Sequence, residues 1–191
     1  MKLNVRDNII TAAQDIFMRY GFRKTTMDEI AYASRKGKSS LYYYFKSKEE
    51  VFQAVVEKEA ANLRAEIGLE LKEYSLAKDK LRAYIFVRMK GFKNWGNFYV
   101  ALKDEYLSNY DFIEKIRTRY DESETNSIKQ IIEEGIREGE FKILNAGLTA
   151  KTVLIAMKGL EIPLIVDGNS TDNFEKEIDD MLAILFYGIC V

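Results

Sequence analysis

Apolar side chains recur along this chain at steps of three and four residues, and nowhere in a sustained alternation. Ile9, Ala13, Ile16, Phe17 and Tyr20 form one such stripe, the spacing of a helix that buries a single face. Gly21 follows it and predicts a C-terminal cap. Thr26, Met27, Asp28 and Glu29 make a capping box, with Thr26 as N-cap and Glu29 reaching back, which predicts a short helix to about residue 33. Ser34, Arg35, Lys36 and Gly37 form a polar turn. A second short helix is predicted over 38–45, with Leu41, Tyr44 and Phe45 inward and Ser39, Ser40, Tyr42 and Tyr43 turned away. Ser47 and Glu50 repeat the box and open a long helix, carrying Val51, Phe52, Val55, Val56, Leu63 and Ile67, to about residue 72.

The remainder reads as four more helices, near 80–93, 113–138, 148–166 and 173–189. Pro163 falls inside the third of these and predicts a kink there. No strand pattern, internal repeat or low-complexity tract is visible. The fold class expected is all-α. Two short helices joined by a tight turn make a helix-turn-helix, so the expected organisation is a three-helix head over 1–50 and a larger helical body over 51–191. A single proline in 191 residues and 47% apolar composition agree with a helical chain that buries a sizeable core.

Charge sharpens this picture. The net charge is −1, but it is unevenly spread. Residues 1–58 hold eleven Lys/Arg against seven Asp/Glu, and the rest hold 18 against 23. A basic head on an acidic body points to a polyanionic partner for the head.

Other chemistries lose ground. Histidine is absent, which removes the usual general base and the commonest metal ligand. Neither a metal nor a cofactor is expected. Glu133-Glu134 and Asp179-Asp180 are adjacent pairs that point apart on a helix, so an enzymatic reading is disfavoured. Cys190 is the only cysteine, which excludes an intrachain disulfide and fits a reducing cytoplasm. The start, MKLNVRDNII, is too charged for a signal peptide. The apolar run 152–166 is broken by Lys158 and Glu161 and falls short of the roughly 20 residues of a membrane span. A helical adaptor whose basic segment docks an acidic protein is the competing binding reading.

DNA recognition needs cations and hydroxyls for phosphates and a few side chains at base edges. Lys46 and Lys48 stand at the start of the long helix, where free amides and the dipole favour an anion. Thr26 stands at another helix start. Tyr42 can donate its phenol to a phosphate. Lys38, Ser39, Ser40 and Tyr43 are placed to enter a major groove, with Lys38 able to reach guanine N7 or O6.

The segment TTMDEIAYASRKGKSSLYYYFKSKEEVF resembles the signature of TetR-type (tetracycline-repressor-like) transcriptional regulators. Thr26, Ile30, Ala31, Leu41, Tyr42, Tyr44, Phe45, Ser47, Lys48 and Glu49 stand at matching spacing. The turn departs from the common Gly-Val-Ser. Arg35 stands where glycine often adopts a left-handed conformation, at a cost on the order of 1 kcal/mol.

The resemblance implies a homodimeric repressor of all-helical subunits, bound to a near-palindromic double-stranded operator. It implies a small-molecule inducer, of unknown identity, held in the body, and a dimer interface on the last two helices. On that basis Phe92, Trp95, Phe98, Tyr99, Phe112, Tyr120, Met157 and Glu161 are the ligand-binding candidates. Leu160, Leu164, Met181, Leu185 and Phe186 are the dimer-interface candidates.

Overall fold

In a computed structural model, helix formation follows the caps and stripes of the sequence closely. Residues 4–94, 111–167 and 174–187 are described, with the side chains at 92–94, 111–114, 116–117, 161–167 and 174 excepted. Eight α-helices and one short 3₁₀ turn lie among the described residues, and no strand does. They are α1 (Val5–Lys24), α2 (Met27–Ala33), α3 (Lys38–Tyr44), α4 (Lys48–Glu70), α5 (Ala77–Asn94), α6 (Asp111–Arg137), α7 (Ala146–Asp167) and α8 (Phe174–Tyr187), with the 3₁₀ turn at Leu71–Glu73. Helix α7 continues through Pro163 as a single element.

The chain divides into two compact units. One contains α1, α2, α3, α4 as far as Asn62 and α6 as far as Ile116; the other contains α4 from Leu63, then α5, α6 from Arg117, α7 and α8. The division therefore falls inside α4, later than the 50/51 boundary read from the sequence. The first half of α4 belongs to the head's core for a physical reason. Val51, Phe52, Val55 and Val56 are all buried, and Phe52 meets Phe17 edge-on at 5.2 Å and Phe22 at 5.0 Å between ring centroids. Aromatic pairs of this geometry contribute about 0.5–1.5 kcal/mol each beyond their burial.

Helix α1 reaches that core by breaking. Gly21 has φ 78° and ψ 161°, a region open essentially to glycine alone. The expected cap is thus a break, with one more turn beyond it that returns Phe22 to the interior. Ile9, Ile30 and Leu41, one from each of the head's first three helices, are fully buried.

In the second unit Leu81, Ile85, Met89, Ile128, Ile132, Met157 and Ile178 form the interior. The loop after α6 helps to build it. The Glu140 carboxylate accepts from the first-turn amides of α5, Ala77 N at 2.9 Å and Lys78 N at 3.3 Å, which no intrahelical carbonyl can satisfy. Phe141 presses onto α6 at Gly135, where a Cβ would lie 2.3 Å from the Phe141 ring. Ion pairs tie the helices together: Arg88 with Glu124, Arg82 with Asp179, Lys80 with Glu134 and Lys158 with Asp121.

Candidate nucleic-acid interface

The helix-turn-helix is held by local hydrogen bonds. Thr26 Oγ1 accepts from Glu29 N at 3.3 Å, and the Glu29 carboxylate accepts from Thr26 N at 2.7 Å. Both halves of the capping box are therefore present at the start of α2. At its end Lys36 N donates to Ala31 O and Arg35 N to Tyr32 O, each at 3.0 Å. This pair of bonds is the Schellman pattern, which places its next-to-last residue in the left-handed region. Arg35 takes that conformation, with φ 53°. The buried Ser34 hydroxyl donates to Ala31 O and closes the turn from inside.

Helix α3 begins at Gly37, which supplies no side-chain cap. Leu41 and Phe45 are buried, Tyr44 is half-buried, and Tyr44 meets Tyr43 edge-on at 5.0 Å. The inward face of α3 is thereby fixed, and its other face carries the expected residues outward. Tyr43 is 76% exposed, Lys38, Ser39 and Tyr42 are exposed, and Ser40 is half-buried. Thr26 and Lys46 are also exposed.

The three lysines of this surface differ in what they hold. Lys38 Nζ lies 2.6 Å from the Asp28 carboxylate on α2, and both side chains are open to water. The hydrogen bond and negative charge of Asp28 raise the Lys38 pKa above its usual value. Lys46 Nζ donates to Tyr42 O at 3.2 Å, at the C-terminal end of α3. Lys48 turns inward. Its Nζ donates to Phe22 O at 2.8 Å and Arg23 O at 3.4 Å and lies 4.4 Å from the Phe22 ring centroid. Burial lowers the pKa of this ammonium. Its placement differs from the phosphate seat expected at the start of α4. The second capping box also differs: Ser47 Oγ accepts from Glu50 N, but the Glu50 carboxylate accepts from Lys46 N rather than from the N-cap.

Three residues outside the DNA-binding candidates read from the sequence stand on this unit's surface. Asp28 binds Lys38. Arg6 places its guanidinium 5.1 Å from the Phe45 ring centroid. Tyr32, on α2, is 88% exposed. The first two depend on contacts between distant segments that periodicity does not encode. An aromatic at the outer face of α2 was visible as Tyr32's failure to fit the inward stripe of Ile30 and Ala31.

In the second unit Met157 is fully buried and Tyr120 half-buried. Trp95, Phe98 and Tyr99 lie outside the described residues, as do the side chains of Phe92, Phe112, Glu161 and Leu164. Leu160, Met181, Leu185 and Phe186 are half-buried, and Phe186 stacks on Phe141 at 6.0 Å. Among the described side chains of the last two helices, the most exposed apolar ones are others: Leu148 and Ile155 on α7, and Ile184 and Tyr187 on α8. Among the described residues no three His, Cys, Asp or Glu side chains gather as metal ligands, and no helix is long and apolar enough to cross a membrane.

Comparison with known proteins agrees with this geometry. The profile of the family described as bacterial regulatory proteins, tetR family, matches residues 9–55. The chain is 24% identical over 160 residues to the HTH-type transcriptional regulator QacR of Staphylococcus aureus, spanning 83% of this chain and 85% of that one. A transcriptional regulator from Cytophaga hutchinsonii superposes with a TM-score of 0.73 at 29% identity, over 94% of this chain and 93% of that chain. FadR from Bacillus subtilis, solved in complex with stearoyl-CoA, has the same fold, with a TM-score of 0.75 at 23% identity over 96% and 99% of the two chains. A capped α2, a Schellman turn and an α3 with one buried and one open face thus fall within residues 9–55, the segment that matches the tetR-family profile, and the chain is similar to TetR-family DNA-binding transcriptional regulators.

Proposed function

We propose that the protein is a homodimeric repressor that lays two copies of α3 into successive major grooves of a near-palindromic operator and is released by a small molecule. The observation that carries this reading is the open face of α3. Ser39 and Tyr43 look outward from a helix whose other face is anchored by Leu41 and Phe45. Ser39, Ser40, Tyr43 and Lys38 face base edges, while Thr26, Tyr42 and Lys46 hold phosphates. Lys48 positions the start of α4 through its bonds to the end of α1, in place of a direct phosphate contact.

A second copy is supported by the apolar side chains exposed on the last two helices. Leu148 and Ile155 are two turns apart on α7, and Ile184 and Tyr187 are one turn apart on α8. The half-buried Leu160, Met181, Leu185 and Phe186, with Leu164, border that face in the proposed interface. Paired recognition helices would then stand about 34–36 Å apart, one turn of the duplex.

The inducer would lie in the second unit, near Phe92, Tyr120, Met157 and Glu161. The Bacillus subtilis neighbour solved with stearoyl-CoA makes long-chain acyl-CoA thioesters the first class to try. Such a ligand need shift the equilibrium by only about 1–3 kcal/mol to change occupancy 5- to 150-fold. The reading assigns regulation in the cytoplasm, with no catalytic role. Its test is a mobility shift with a duplex selected from a random pool, repeated with saturated acyl-CoAs of increasing chain length. Release at one range of lengths supports the ligand class; binding indifferent to all of them removes it.

A further inference from the structure

We infer that Asp28 is a specificity-determining positioning residue, which keeps Lys38 at a base edge and off the neighbouring phosphates. The inference rests on the reading of α3 as the recognition helix. It starts from one contact, the 2.6 Å pair between Lys38 Nζ and the Asp28 carboxylate. Both side chains are well exposed, at 66% and 59%, so an interior does not force them together. The pair spans the turn, from the second residue of α2 to the first residue of α3.

Its chemistry is unlike that of the other basic groups on this surface. A lysine ammonium is a compact point charge on a flexible stem with three donors. Left alone at the edge of a groove it takes the nearest phosphate, which strengthens binding to every sequence alike. Asp28 occupies one donor and leaves two, enough for guanine N7 and O6. Its negative charge also lowers the return from moving the ammonium among phosphates, because the carboxylate would then be left beside DNA without a partner.

Lys38 gains little else from its position. It stands at the first turn of a helix with no side-chain cap and no acidic residue in that turn, where the dipole disfavours a cation. Asp28 offsets that repulsion across the turn. Arg35 and Lys36 are already present on the same turn, and cations held only near phosphates would supply affinity without sequence information. A restrained Lys38 then adds discrimination that a third unrestrained cation would not.

The test uses the full-length protein and a duplex enriched from a randomised pool. In Asp28→Asn, binding to random duplex should tighten by up to about 5-fold, the range an exposed ion pair covers. The slope of log K against log salt should steepen by about 0.9, one added phosphate contact. The ratio of selected to random binding should fall, and a second selection should lose its guanine preference at a single position of each half-site. Asp28→Glu should restore the ratio. In a Lys38→Met background Asp28→Asn should alter neither slope nor ratio. A ratio unchanged in Asp28→Asn, or the same slope change with Lys38 absent, overturns the inference. Failure of the pool to yield any preferred sequence defeats the functional reading itself, and the two failures are therefore distinct. Any loss of helix stability at α2 moves the melting temperature of the variant and leaves the ratio untouched.

Discussion

Lys48 donates from Nζ to the carbonyl oxygen of Phe22 at 2.8 Å while its ammonium rests 4.4 Å from the ring centroid of the same residue. One side chain at the start of α4 therefore closes the end of α1, through an orphan carbonyl and an aromatic face at once. The third ring of the set, Phe52, lies on α4 itself. Lys48→Met should lower the head's stability by about 1–2 kcal/mol, the scale of a charge-assisted hydrogen bond discounted for partial exposure. It should leave the salt slope of DNA binding unchanged, because no phosphate contact is lost. Chemical denaturation and a salt titration separate these effects; a slope reduced by about 0.9 with intact stability would return Lys48 to the phosphates.

Arg35 is held at φ 53°, a conformation that costs an L-residue about 1–2 kcal/mol. Arg35→Gly should raise the urea midpoint by an amount equivalent to roughly 1 kcal/mol, part of the gain being offset by the freer unfolded chain. Arg35→Ala should leave the midpoint near that of the parent, since alanine suffers the same backbone strain. Equal stabilisation by both substitutions would locate the effect in the arginine side chain and refute the strain argument.

Arg88 and Glu124 form a two-pronged pair, Nε to Oε1 at 2.7 Å and Nη2 to Oε2 at 3.0 Å, with Arg88 buried. Removing one partner strands the other charge. Arg88→Met should cost about 3–5 kcal/mol, and adding Glu124→Gln should recover a large part of it. Denaturant unfolding of the single and double variants reads this directly, and a single variant within about 1 kcal/mol of the parent would contradict the pair's importance.

The Arg82–Asp179 pair predicts a pH dependence. A hydrogen bond from Arg82 is the main cause that holds the Asp179 carboxyl below its usual range, with burial opposing it and the Arg82 charge assisting. A carboxylate lowered on folding contributes stability that is full above its unfolded value, about 3.9, and is lost as pH falls through the folded value. The melting-temperature gap between the parent and Arg82→Gln should stay constant from about pH 5 to 8 and narrow below about pH 4. Both groups are nearly half exposed, so the gap corresponds to no more than about 1 kcal/mol. A gap that widens on acidification would reverse the assigned sign.

The parts of the fold legible in the sequence are those encoded by neighbours. Thr26 and Glu29 are three residues apart, and their box forms as read. Leu41 and Phe45 share a helical face and are buried together. Arg35 could be recognised as a strained position because the turn that needs it is local. What the sequence concealed depends on chain segments meeting. Lys48 was read as a phosphate contact at a helix start, yet its ammonium reaches back to Phe22 and Arg23. Lys38 was read as a donor to guanine, and its carboxylate partner Asp28 lies across the turn. Leu160 and Leu164 were read as the dimer candidates of α7; Leu160 is half-buried, whereas Leu148 and Ile155 on the same helix are exposed. A helix with apolar residues on most of its faces gives periodicity little to distinguish them by.

The central claim is that the open face of α3 reads DNA. Its most direct test is quantitative binding of the parent and of Tyr43→Ala to a duplex selected from a random pool and to random duplex, at fixed salt. The account predicts a near-palindromic selected sequence, bound by the parent at least about 10³-fold more tightly than random duplex. It also predicts a Tyr43→Ala protein that is folded but has lost much of that ratio. A folded parent protein that binds all duplexes equally, or a Tyr43→Ala protein with the full ratio, would contradict it.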